Sequence, residues 1–472
     1  ARVIKLEQNY RSTQNILNAA NGVIRHNRGR KDKTLWTANS EGTLVHFKQF
    51  ENARDEADYV ARQIRDSGFS YQDQAVLYRT NAQSRLLEER CIYYNVPYRL
   101  VGGVNFYQRK EIKDILAYLR TIANGVDDLS VLRIINVPKR GIGATTMGRV
   151  TIFASEHGMS LYDALKAARQ VPGLGKAAAK IEAFVGQIDS FKVRANSEDF
   201  TIQDLIEGIL DETGYRQELE AEGEIESQTR LENIEELVNK AVSYEQDSEH
   251  PSLDEFLEQV ALVADIDNMD ESENRVTLMT LHSAKGLEFP KVYLVGMEDG
   301  LFPSMMSITA DDKSEIEEER RLCYVGITRA REELVMTSAR QRMVNGETRY
   351  SKPSQFVEEL PASAVEFDRL EPALSGYGGF GGGSGSAGGS GRKTDAYADD
   401  SLPWNQGGMK AQPKAEGRGF GSSHNPYASR NTAPAPASKP AFGKAFTVQK
   451  QSSLDYGPGD RVSHIKFGQG TV

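Results

Sequence analysis

The 472-residue sequence has few cysteines, no long apolar segment and no excess of positive charge. Its two cysteines, Cys91 and Cys323, provide neither a disulfide framework nor zinc-ligand spacing, which indicates a reducing compartment. The longest apolar runs, such as residues 292–297, are too short to span a bilayer, so we expect a cytoplasmic protein with no membrane partner. Because the net charge is -10, binding to nucleic acid would need local basic clusters.

The sequence also lacks two parts of a complete nucleotide-hydrolysing site. No G-x-x-x-x-G-K-[S/T] loop occurs, so nothing in it is expected to cradle β- and γ-phosphates. Residues 55–58, Asp-Glu-Ala-Asp, have the letters of a magnesium-holding pair, but they begin an amphipathic helix and are interpreted as N-terminal helix charge. The chain begins at Ala1 without Met and stops at Val472 in strand-like sequence, which predicts that both ends are truncated.

Apolar periodicity predicts an α/β sheet interrupted by helices. Short apolar strands alternate with helices in the first hundred residues, as in Gln74–Tyr78 followed by Ser84–Tyr94, which indicates a parallel sheet. From Ile112 to Glu258 nearly everything has helical spacing, and strand-like segments return from Val276 onward. We therefore predict one α/β domain with a helical insertion. Two separate α/β domains would leave each with too few strands for a covered sheet.

The composition changes again after about Phe367, where Gly, Ser, Ala and Pro dominate and predict a disordered linker. Alternating residues around a glycine-rich turn return near Tyr456 and predict the first hairpin of a small, truncated β-barrel. The predicted divisions are the α/β domain in two parts (1–109 and 273–366), the helical insertion (110–272), the linker (367–455) and the start of the barrel (456–472).

The first segment with chemical content is Gln8-Asn9-Tyr10-Arg11-Ser12, which places an aromatic residue and an arginine at a helix start. Alone, Tyr10 and Arg11 are more typical of an ordinary surface helix start. The complete run resembles motif four of the UvrD/PcrA/Rep helicases of superfamily one. That resemblance implies that Tyr10 stacks on the adenine of ATP and that Arg11 contacts the γ-phosphate.

The second segment is Thr280–Phe289, in which a predicted strand ends and a loop of small residues follows. Loops at the carboxyl ends of parallel strands are common ligand sites. Taken alone, His282 is more typical of a capping or core histidine. The whole run resembles motif five of the same family, which implies that Glu288 bonds the ribose, that Gly286 belongs to the ATP-binding loop and that His282 lies near the DNA backbone.

The third segment, Tyr324–Ala330, resembles motif six and implies that Arg329 is a second γ-phosphate arginine. A guanidinium is always charged and its fork matches phosphate oxygens. Such an arginine can contribute about 10³–10⁵-fold to the rate of phosphoryl transfer. The neighbouring Glu317, Arg320 and Arg331 are interpreted as members of exposed helix pairs.

Two further segments indicate contacts with DNA. The run Tyr78–Arg85 follows a predicted strand, and its resemblance to the family implies that Arg79 and Asn81 contact phosphates of single-stranded DNA. Phe106 and Tyr107, near the start of the insertion, could stack on bases, but packing at the domain junction is the favoured interpretation.

A glycine turn inside the insertion is the remaining candidate. Gly141 and Gly143 open a helix where backbone N–H groups and the helix dipole could hold a phosphate, and Lys139 and Arg140 add positive charge. The run resembles the hairpin of a helix-hairpin-helix, a sequence-independent binder of duplex DNA. Residues 173–176 have a similar character but a weaker pattern.

The resemblance covers residues 1 to about 365, and residues 459–472 resemble the small C-terminal barrel of PcrA members. It implies a RecA-like (P-loop NTPase-type) second motor domain from an ATP-dependent 3′-5′ DNA helicase of repair and replication, inactive alone. ATP with Mg²⁺ is the implied cofactor, with the metal and most phosphate contacts supplied from outside the chain. The implied partners are single-stranded DNA, the single-strand/duplex junction and, through the barrel, RNA polymerase or repair proteins. The alternative is a non-catalytic module that binds DNA or protein. A helicase–nuclease is disfavoured because a Gly/Ser-rich region stands where its carboxylate cluster would follow.

Overall fold

A computed structural model describes residues 7–29, 34–197, 200–266, 273–371, 461–464 and 468–471. These residues belong to two units, residues 1–378 and 379–472. The first unit is a mixed α/β structure with a mostly parallel sheet and a large helical insertion. No helix in the described ranges is long and apolar enough to cross a membrane.

The strands of the first unit are β1 (Gln8–Asn9), β2 (Trp36–Thr37), β3 (Val45–Asn52), β4 (Gln74–Tyr78), β5 (Tyr98–Val101), β6 (Val276–Thr280), β7 (Phe289–Leu294), β8 (Ala330–Val344), β9 (Glu347–Tyr350) and β10 (Val365–Asp368). The helices outside the insertion are α1 (Gln14–Ile24), α2 (Ala53–Asp66), α3 (Ser84–Tyr93), α13 (Met305–Thr309), α14 (Ser314–Ile327) and α15 (Gln355–Glu358). The insertion contains α4 (Lys110–Ala123), α5 (Asp128–Ile134), α6 (Ala144–His157), α7 (Leu161–Lys166), α8 (Ala177–Ala195), α9 (Ile202–Glu212), α10 (Tyr215–Glu220), α11 (Glu224–Asp247) and α12 (Leu253–Ile266).

The main sheet mixes strands from both sides of the insertion. Its order is β10-β3-β8-β7-β4-β6-β5, and every neighbouring pair in that order is parallel. Strand β9 adds an antiparallel partner to β8. The insertion leaves the sheet after β5 and returns at β6, which pairs directly with β5 from Tyr98↔Val276 to Val101↔Met279. The segments before and after the insertion therefore form one sheet, and two separate α/β domains are excluded.

Helices cover both faces of this sheet. The central strands are accordingly apolar on both sides, as is typical of a parallel sheet. Helices α1 and α14 pack on one face, over a core that includes Phe47, Leu281 and Ile327. Helices α2 and α3 cover the other face, with Val60 and Leu87 in its core. The insertion has a separate core of its own.

The junction between sheet and insertion is partly charged. Phe106 and Tyr107 are buried there, which confirms that they pack at the junction. The Tyr107 hydroxyl donates to Glu89 over 2.8 Å, and Arg85 of α3 pairs with both Glu89 and Glu236 of α11. The glutamate-rich run 217–237 has the composition of a solvated helix face, but Glu236 turns inward, because burial of Arg85 requires a carboxylate on the facing helix.

The Asp-Glu-Ala-Asp run begins helix α2 as predicted, but it is not simply helix-end charge. Asn52 caps the helix by accepting from the backbone N–H of Asp55 at 2.9 Å. Glu56, however, is buried and accepts from the Gly296 backbone N–H and the Thr337 hydroxyl, at 3.0 and 2.6 Å. Arg342 pairs with it at 2.5 Å, so this carboxylate ties α2 to the end of β8.

The structure departs from the sequence-based elements near the end of the first unit. Strand β8 continues to Val344 and turns back into β9. Strand β10 ends at Asp368 and so extends two residues into the segment in which we expected the linker. The rest of that predicted linker, from residue 372, lies outside the described residues. In the second unit, Arg461–His464 pairs antiparallel with Gly468–Thr471, which confirms the predicted hairpin; the barrel remains a prediction.

Candidate functional site

The predicted site residues outside the insertion lie at two opposite edges of the sheet. Glu288 directly precedes β7 and Arg329 directly precedes β8, so both lie at the amino-terminal edge, where Phe289 pairs with Ala330. Arg79 and His282 follow the carboxyl-terminal ends of β4 and β6. We expected the whole of Thr280–Phe289 to bind at the carboxyl ends of strands. This prediction is wrong for Glu288. The connection between two parallel strands runs from the carboxyl end of β6 to the amino end of β7, so Glu288 lies at the opposite edge from His282.

Arg11 contacts both segments at the amino-terminal edge. Its Nε donates to Glu288 Oε2 over 2.5 Å, and its Nη1 donates to the carbonyl oxygen of Thr328 over 3.1 Å. The side chains of Arg11 and Glu288 are 26% and 43% exposed, so the pair faces solvent. The structure therefore brings the predicted motif-four arginine to the predicted motif-five glutamate.

Local hydrogen bonds explain why Arg11 is held at this edge. Asn9 Oδ1 accepts from the backbone N–H groups of Arg11 and Ser12, at 2.8 and 2.9 Å, which closes a turn before α1. The buried Ser12 hydroxyl donates to the carbonyl of Ala330 over 2.7 Å. The motif-four segment is thus fixed directly to the first residue of β8.

Arg329 is fixed by carbonyl oxygens of its surroundings. Its Nε donates to Val325 O over 3.0 Å, its Nη1 donates to Leu287 O over 2.9 Å, and its Nη2 donates to the Thr328 hydroxyl over 3.3 Å. The side chain is half-buried. Arg11 and Arg329 therefore share Thr328 as a contact and point from two chain segments to one place.

This edge has an excess of positive charge. The hydrogen bond from Arg11 lowers the pKa of Glu288, and the charges of Arg11, Arg331 and Arg329 act in the same direction. Burial lowers the pKa of Arg329, and the charge of Arg11 lowers it further, with Glu288 opposing. One carboxylate thus faces three guanidinium groups, and an arriving anion would relieve the repulsion between them. Arg331, which we had assigned to an exposed helix pair, adds to this field from an exposed position on β8.

The other two predicted ATP contacts flank this cluster. Tyr10 is 78% exposed, with its hydroxyl donating to Gln8 over 2.9 Å, so its ring is open to a stacking partner. Gly286 has a φ of +87°, a left-handed conformation that favours glycine, in the exposed loop before Glu288.

At the carboxyl-terminal edge, Arg79 forms a two-pronged ion pair with Glu319 of α14. Arg79 Nε lies 3.0 and 3.1 Å from the two carboxylate oxygens, and Nη2 lies 2.8 Å from Oε1. The Glu319 side chain is 8% exposed, whereas that of Arg79 is 25% exposed. Sequence reasoning missed Glu319, because the acidic run 317–319 gives no sign of which carboxylate turns inward.

His282 and Asn81 lie beside this pair. The imidazole of His282 is exposed, and its pKa is lowered by partial burial and by the charges of Arg79 and Lys285, with Glu319 and Glu318 opposing. Asn81 begins the short turn after β4 and lines a cavity of about 380 Å³ between the sheet and α11. The structure thus brings Arg79, Asn81 and His282 to one edge of the sheet.

The glycine turn of the insertion has the form predicted for it, with one exception. Gly143 is the N-cap of α6, Gly141 has a φ of +70°, and Lys139 is exposed. The Arg140 side chain instead turns into its own loop. Its Nη1 donates to the carbonyls of Ile134 and Val137 at 3.0 and 3.1 Å, its Nη2 donates to the Tyr118 hydroxyl at 2.7 Å, and the group lies over the Phe184 ring. In this structure Arg140 holds the turn together and does not present its charge to the surface.

A second basic group beside this turn was not identified from the sequence. A Cβ at Gly141 would lie 2.6 Å from Lys180 Nζ, which comes from the first turns of α8. Arg149 of α6 donates in turn to the carbonyl of Gly173, in the weaker glycine segment that precedes α8. The two glycine turns and the helices that follow them are therefore neighbours, which no local sequence signal could show.

Glu317 and Arg320 were predicted to belong to exposed helix pairs. This is wrong for Arg320, whereas Glu317 does pair with Arg321 on its own helix but is 15% exposed and also contacts another element. Glu317 accepts from the backbone N–H groups that follow α1, at Arg28 and Gly29. Arg320 is buried and makes a two-pronged pair with Glu359, at 2.8 and 2.7 Å. Both residues anchor α14, the helix that leads to Arg329, because this helix packs between α1 and the end of the domain.

The described residues offer no fitting set of ligands for Mg²⁺. They contain no group of three or more His, Cys, Asp or Glu side chains that could hold a metal ion. The single carboxylate among the clustered arginines, Glu288, is already paired with Arg11. No step is therefore assigned to a metal held by this part of the chain.

The comparison with known proteins agrees with this architecture. The chain matches the UvrD-like helicase C-terminal domain over residues 4–341 and belongs to that family. It is 42% identical over 479 residues to the ATP-dependent DNA helicase PcrA of Staphylococcus aureus strain Mu50, with 100% of this chain and 58% of that protein covered. It is 47% identical over 372 residues to the protein of the same name from Staphylococcus epidermidis strain RP62A, with 78% of this chain and 50% of that protein covered. The chain thus spans between half and three-fifths of the length of these relatives.

A solved structure, that of the C-terminal domain of a possible DNA helicase from Lactobacillus, covers 76% of this chain and 98% of its own. The TM-score is 0.29 and the sequence identity is 10%, and at these values the likeness supports no statement about function.

Proposed function

We propose that this chain is the second, RecA-like motor lobe and the DNA-binding insertion of an ATP-dependent DNA helicase that moves 3′ to 5′. The observation that carries the proposal is the convergence of Arg11 and Arg329 on Thr328 at one edge of the sheet. Two guanidinium groups held by carbonyl oxygens beside an exposed aromatic ring form a site suited to a nucleoside triphosphate. The names of the PcrA relatives favour the same activity.

In this proposal the amino-terminal edge faces ATP across a gap between two lobes. Tyr10 stacks on the adenine, Glu288 and the Gly286 loop bind the ribose side, and Arg11 and Arg329 reach the γ-phosphate. The remaining phosphate contacts and Mg²⁺ are assigned to a phosphate-loop lobe, because the loop motif is absent from the 472 residues. Charge that builds on the γ-phosphate in the transition state is stabilised by the two arginines.

The carboxyl-terminal edge binds single-stranded DNA in the same proposal. Arg79, Asn81 and His282 contact successive backbone groups, while the glycine turn with Lys139, Gly141 and Gly143 holds the duplex ahead of the junction. Lys180 joins that turn, and Arg140 supports it from inside. The proposed role in repair and replication, and recruitment of RNA polymerase or repair proteins by the C-terminal segment, extend this proposal.

The direct test compares the complete polypeptide that contains this chain with the 472-residue chain itself. The complete polypeptide is expected to hydrolyse ATP in a DNA-stimulated manner and to unwind duplexes that carry a 3′ single-stranded tail, but not those with a 5′ tail. The chain alone is expected to bind a tailed duplex without turnover. DNA-stimulated hydrolysis by the chain alone would contradict the assignment of the phosphate loop and Mg²⁺ to another lobe. Binding of a tailed duplex without any turnover by the complete polypeptide would favour a non-catalytic binding module.

A further inference from the structure

Helix α14 connects the two edges of the sheet. Glu319, in the first half of the helix, holds Arg79 at the carboxyl-terminal edge. Its last turn and C-cap hold both arginines at the amino-terminal edge, since Val325 O accepts from Arg329 and Thr328 O accepts from Arg11. Glu319 and Thr328 are separated by roughly 13 Å of helix, at about 1.5 Å per residue.

Burial and two-pronged hydrogen bonding both oppose separation of the Arg79–Glu319 ion pair. Glu319 is nearly buried and Arg79 is its hydrogen-bonding partner through Nε and Nη2, so loss of Arg79 would leave an unpaired buried charge. The Nη1 group of Arg79 makes no hydrogen bond to any described residue, and the side chain is partly exposed. A phosphate can therefore bind the outer edge of the guanidinium while Glu319 keeps its inner edge.

The packing of α14 would also transmit a displacement of Glu319 to the C-terminal end of the helix. Gly326 packs on the loop after β6 so closely that a Cβ there would lie 2.5 Å from the Leu281 side chain. A buried pair, Arg320 with Glu359, and the contacts of Glu317 fix the helix sideways. Close-packed helices of this kind move as units, because their interiors have no room for gradual deformation.

We propose that Glu319 is a positioning residue that transmits occupancy of the DNA site, through α14, to Arg329 and Arg11. The inference rests on the proposed function, since it takes Arg79 as a DNA contact and the two arginines as nucleotide contacts. A phosphate bound to Arg79 pulls on the ion pair between Arg79 and Glu319. Helix α14 then passes this displacement to the guanidinium groups of Arg329 and Arg11 at the opposite edge. Glu319 touches neither DNA nor nucleotide in this arrangement; it acts through Arg79.

The test uses Glu319→Gln, which keeps the size of the side chain and removes its charge, with Glu318→Gln as the matched control. Glu318 lies on the same helix with its side chain 69% exposed and paired with Arg321. In the complete polypeptide, Glu319→Gln is expected to lower the ratio of DNA-stimulated to unstimulated ATP turnover about 5- to 150-fold, the range of ordinary allosteric coupling. Glu318→Gln is expected to leave that ratio unchanged.

Binding of an oligo-dT strand to the 472-residue chain, followed by fluorescence anisotropy, separates transmission from simple damage. Glu319→Gln should bind no more weakly than the parent chain, because a negative charge near the phosphate has been removed, whereas Arg79→Ala should bind more weakly. The double variant Arg79→Ala/Glu319→Gln should show the same turnover ratio as Arg79→Ala alone, because Glu319 acts through Arg79.

Several outcomes would overturn the inference. These are an unchanged turnover ratio in Glu319→Gln, an equal loss of binding and stimulation, or additive losses in the double variant. If Glu319→Gln unfolds at a markedly lower temperature, Glu319→Asp decides, since it keeps the charge but withdraws it from Arg79 and should still lower the ratio. If the parent polypeptide shows no DNA stimulation at all, the proposed function fails rather than the role of Glu319 alone.

Discussion

The side chains of Arg11 and Arg329 both hydrogen-bond Thr328, although one comes from the beginning of the α/β sequence and the other from its last third. Thr328 is the C-cap of α14 and directly precedes Arg329. This one residue therefore fixes the relative placement of two guanidinium groups. An anion that binds either arginine also enters the field of the other.

Replacement of either arginine should abolish turnover and spare DNA binding. In the complete polypeptide, Arg329→Ala is expected to lower kcat for ATP by about 10³-fold or more, as in other enzymes that place an arginine on a transferring phosphoryl group. Arg11→Ala should have a comparable effect. Arg331→Ala is the control, because this neighbouring arginine is exposed on β8 and contributes only to the general field. Steady-state hydrolysis and oligonucleotide binding measure the two properties; an equal loss of DNA affinity would contradict the separation of the two edges.

His282 should become easier to protonate when single-stranded DNA binds. Burial, Arg79 and Lys285 keep its pKa below the ordinary value of 6.5, so folding favours the neutral ring and His282 reduces stability as the pH falls below about 6.5. A phosphate placed beside the ring would raise the pKa again. Titration of the histidine ring resonances by NMR, with and without oligo-dT, should show a rise for His282. His26, whose Nδ1 lies 3.6 Å from Glu359, serves as the control for non-specific effects, and its resonances should not respond to oligo-dT. An unchanged His282 pKa in saturated complex would remove this residue from the DNA site.

The basic residues around the glycine turn should affect two different properties, duplex binding for Lys139 and Lys180 and stability for Arg140. Lys139→Ala and Lys180→Ala should weaken duplex binding and reduce the slope of its salt dependence by about one for each phosphate that is no longer neutralised, with little change in stability. Arg140→Ala should lower the free energy of unfolding by about 1–3 kcal/mol, because partly buried carbonyls lose their donor. Arg140→Lys should restore little, since an ammonium cannot reproduce the planar contacts over Phe184. Salt titrations and denaturant unfolding measure both quantities. A fully stable Arg140→Ala with weak duplex binding would reverse the assignment.

Arg342 should be among the most important residues for stability outside the proposed site. It bridges the two buried carboxylates Glu56 and Glu298, at 2.5 and 2.7 Å. Arg342→Met would leave both without their cation and should lower the free energy of unfolding by about 3–5 kcal/mol. Arg340→Met, two residues away on β8, is the matched control. Its partner Glu51 is half exposed, so the loss should stay within about 1 kcal/mol. Chemical denaturation of both variants measures the difference, and equal stabilities would show that the buried network is neutral.

Local sequence was a good guide to the sheet and to the motifs. Strands β4 and β6 and helix α3 lie close to where apolar periodicity placed them, because a buried strand needs a short apolar run and an amphipathic helix needs its 3.6-residue repeat. The hairpin of Arg461–His464 with Gly468–Thr471 was predicted for the same reason. The family, too, could be identified from the runs around Arg11, Glu288 and Arg329, and the match over residues 4–341 confirms it.

Sequence was a poor guide to which charged side chains turn inward. Glu317, Glu319 and Arg320 lie in one acidic-basic run of α14, yet all three contact other elements, and Glu319 and Arg320 are buried. Whether a helix face is solvated depends on what packs against it, and most of those partners lie far away along the chain. The same limit explains Arg140 and Glu56, which look like surface charge and are structural.

The sequence by itself determined the kind of chain this is: an α/β sheet with a helical insertion, carrying three arginine- and glutamate-bearing motifs and no phosphate loop. These properties are local, since periodicity and motif spacing are written in neighbouring residues. Only the tertiary structure decided that Glu288 and Arg329 begin two adjacent strands while Arg79 follows a third. Strand order is set by long-range pairing. The two groups of candidate site residues therefore come to opposite edges of the sheet, connected by α14, only after the chain has folded.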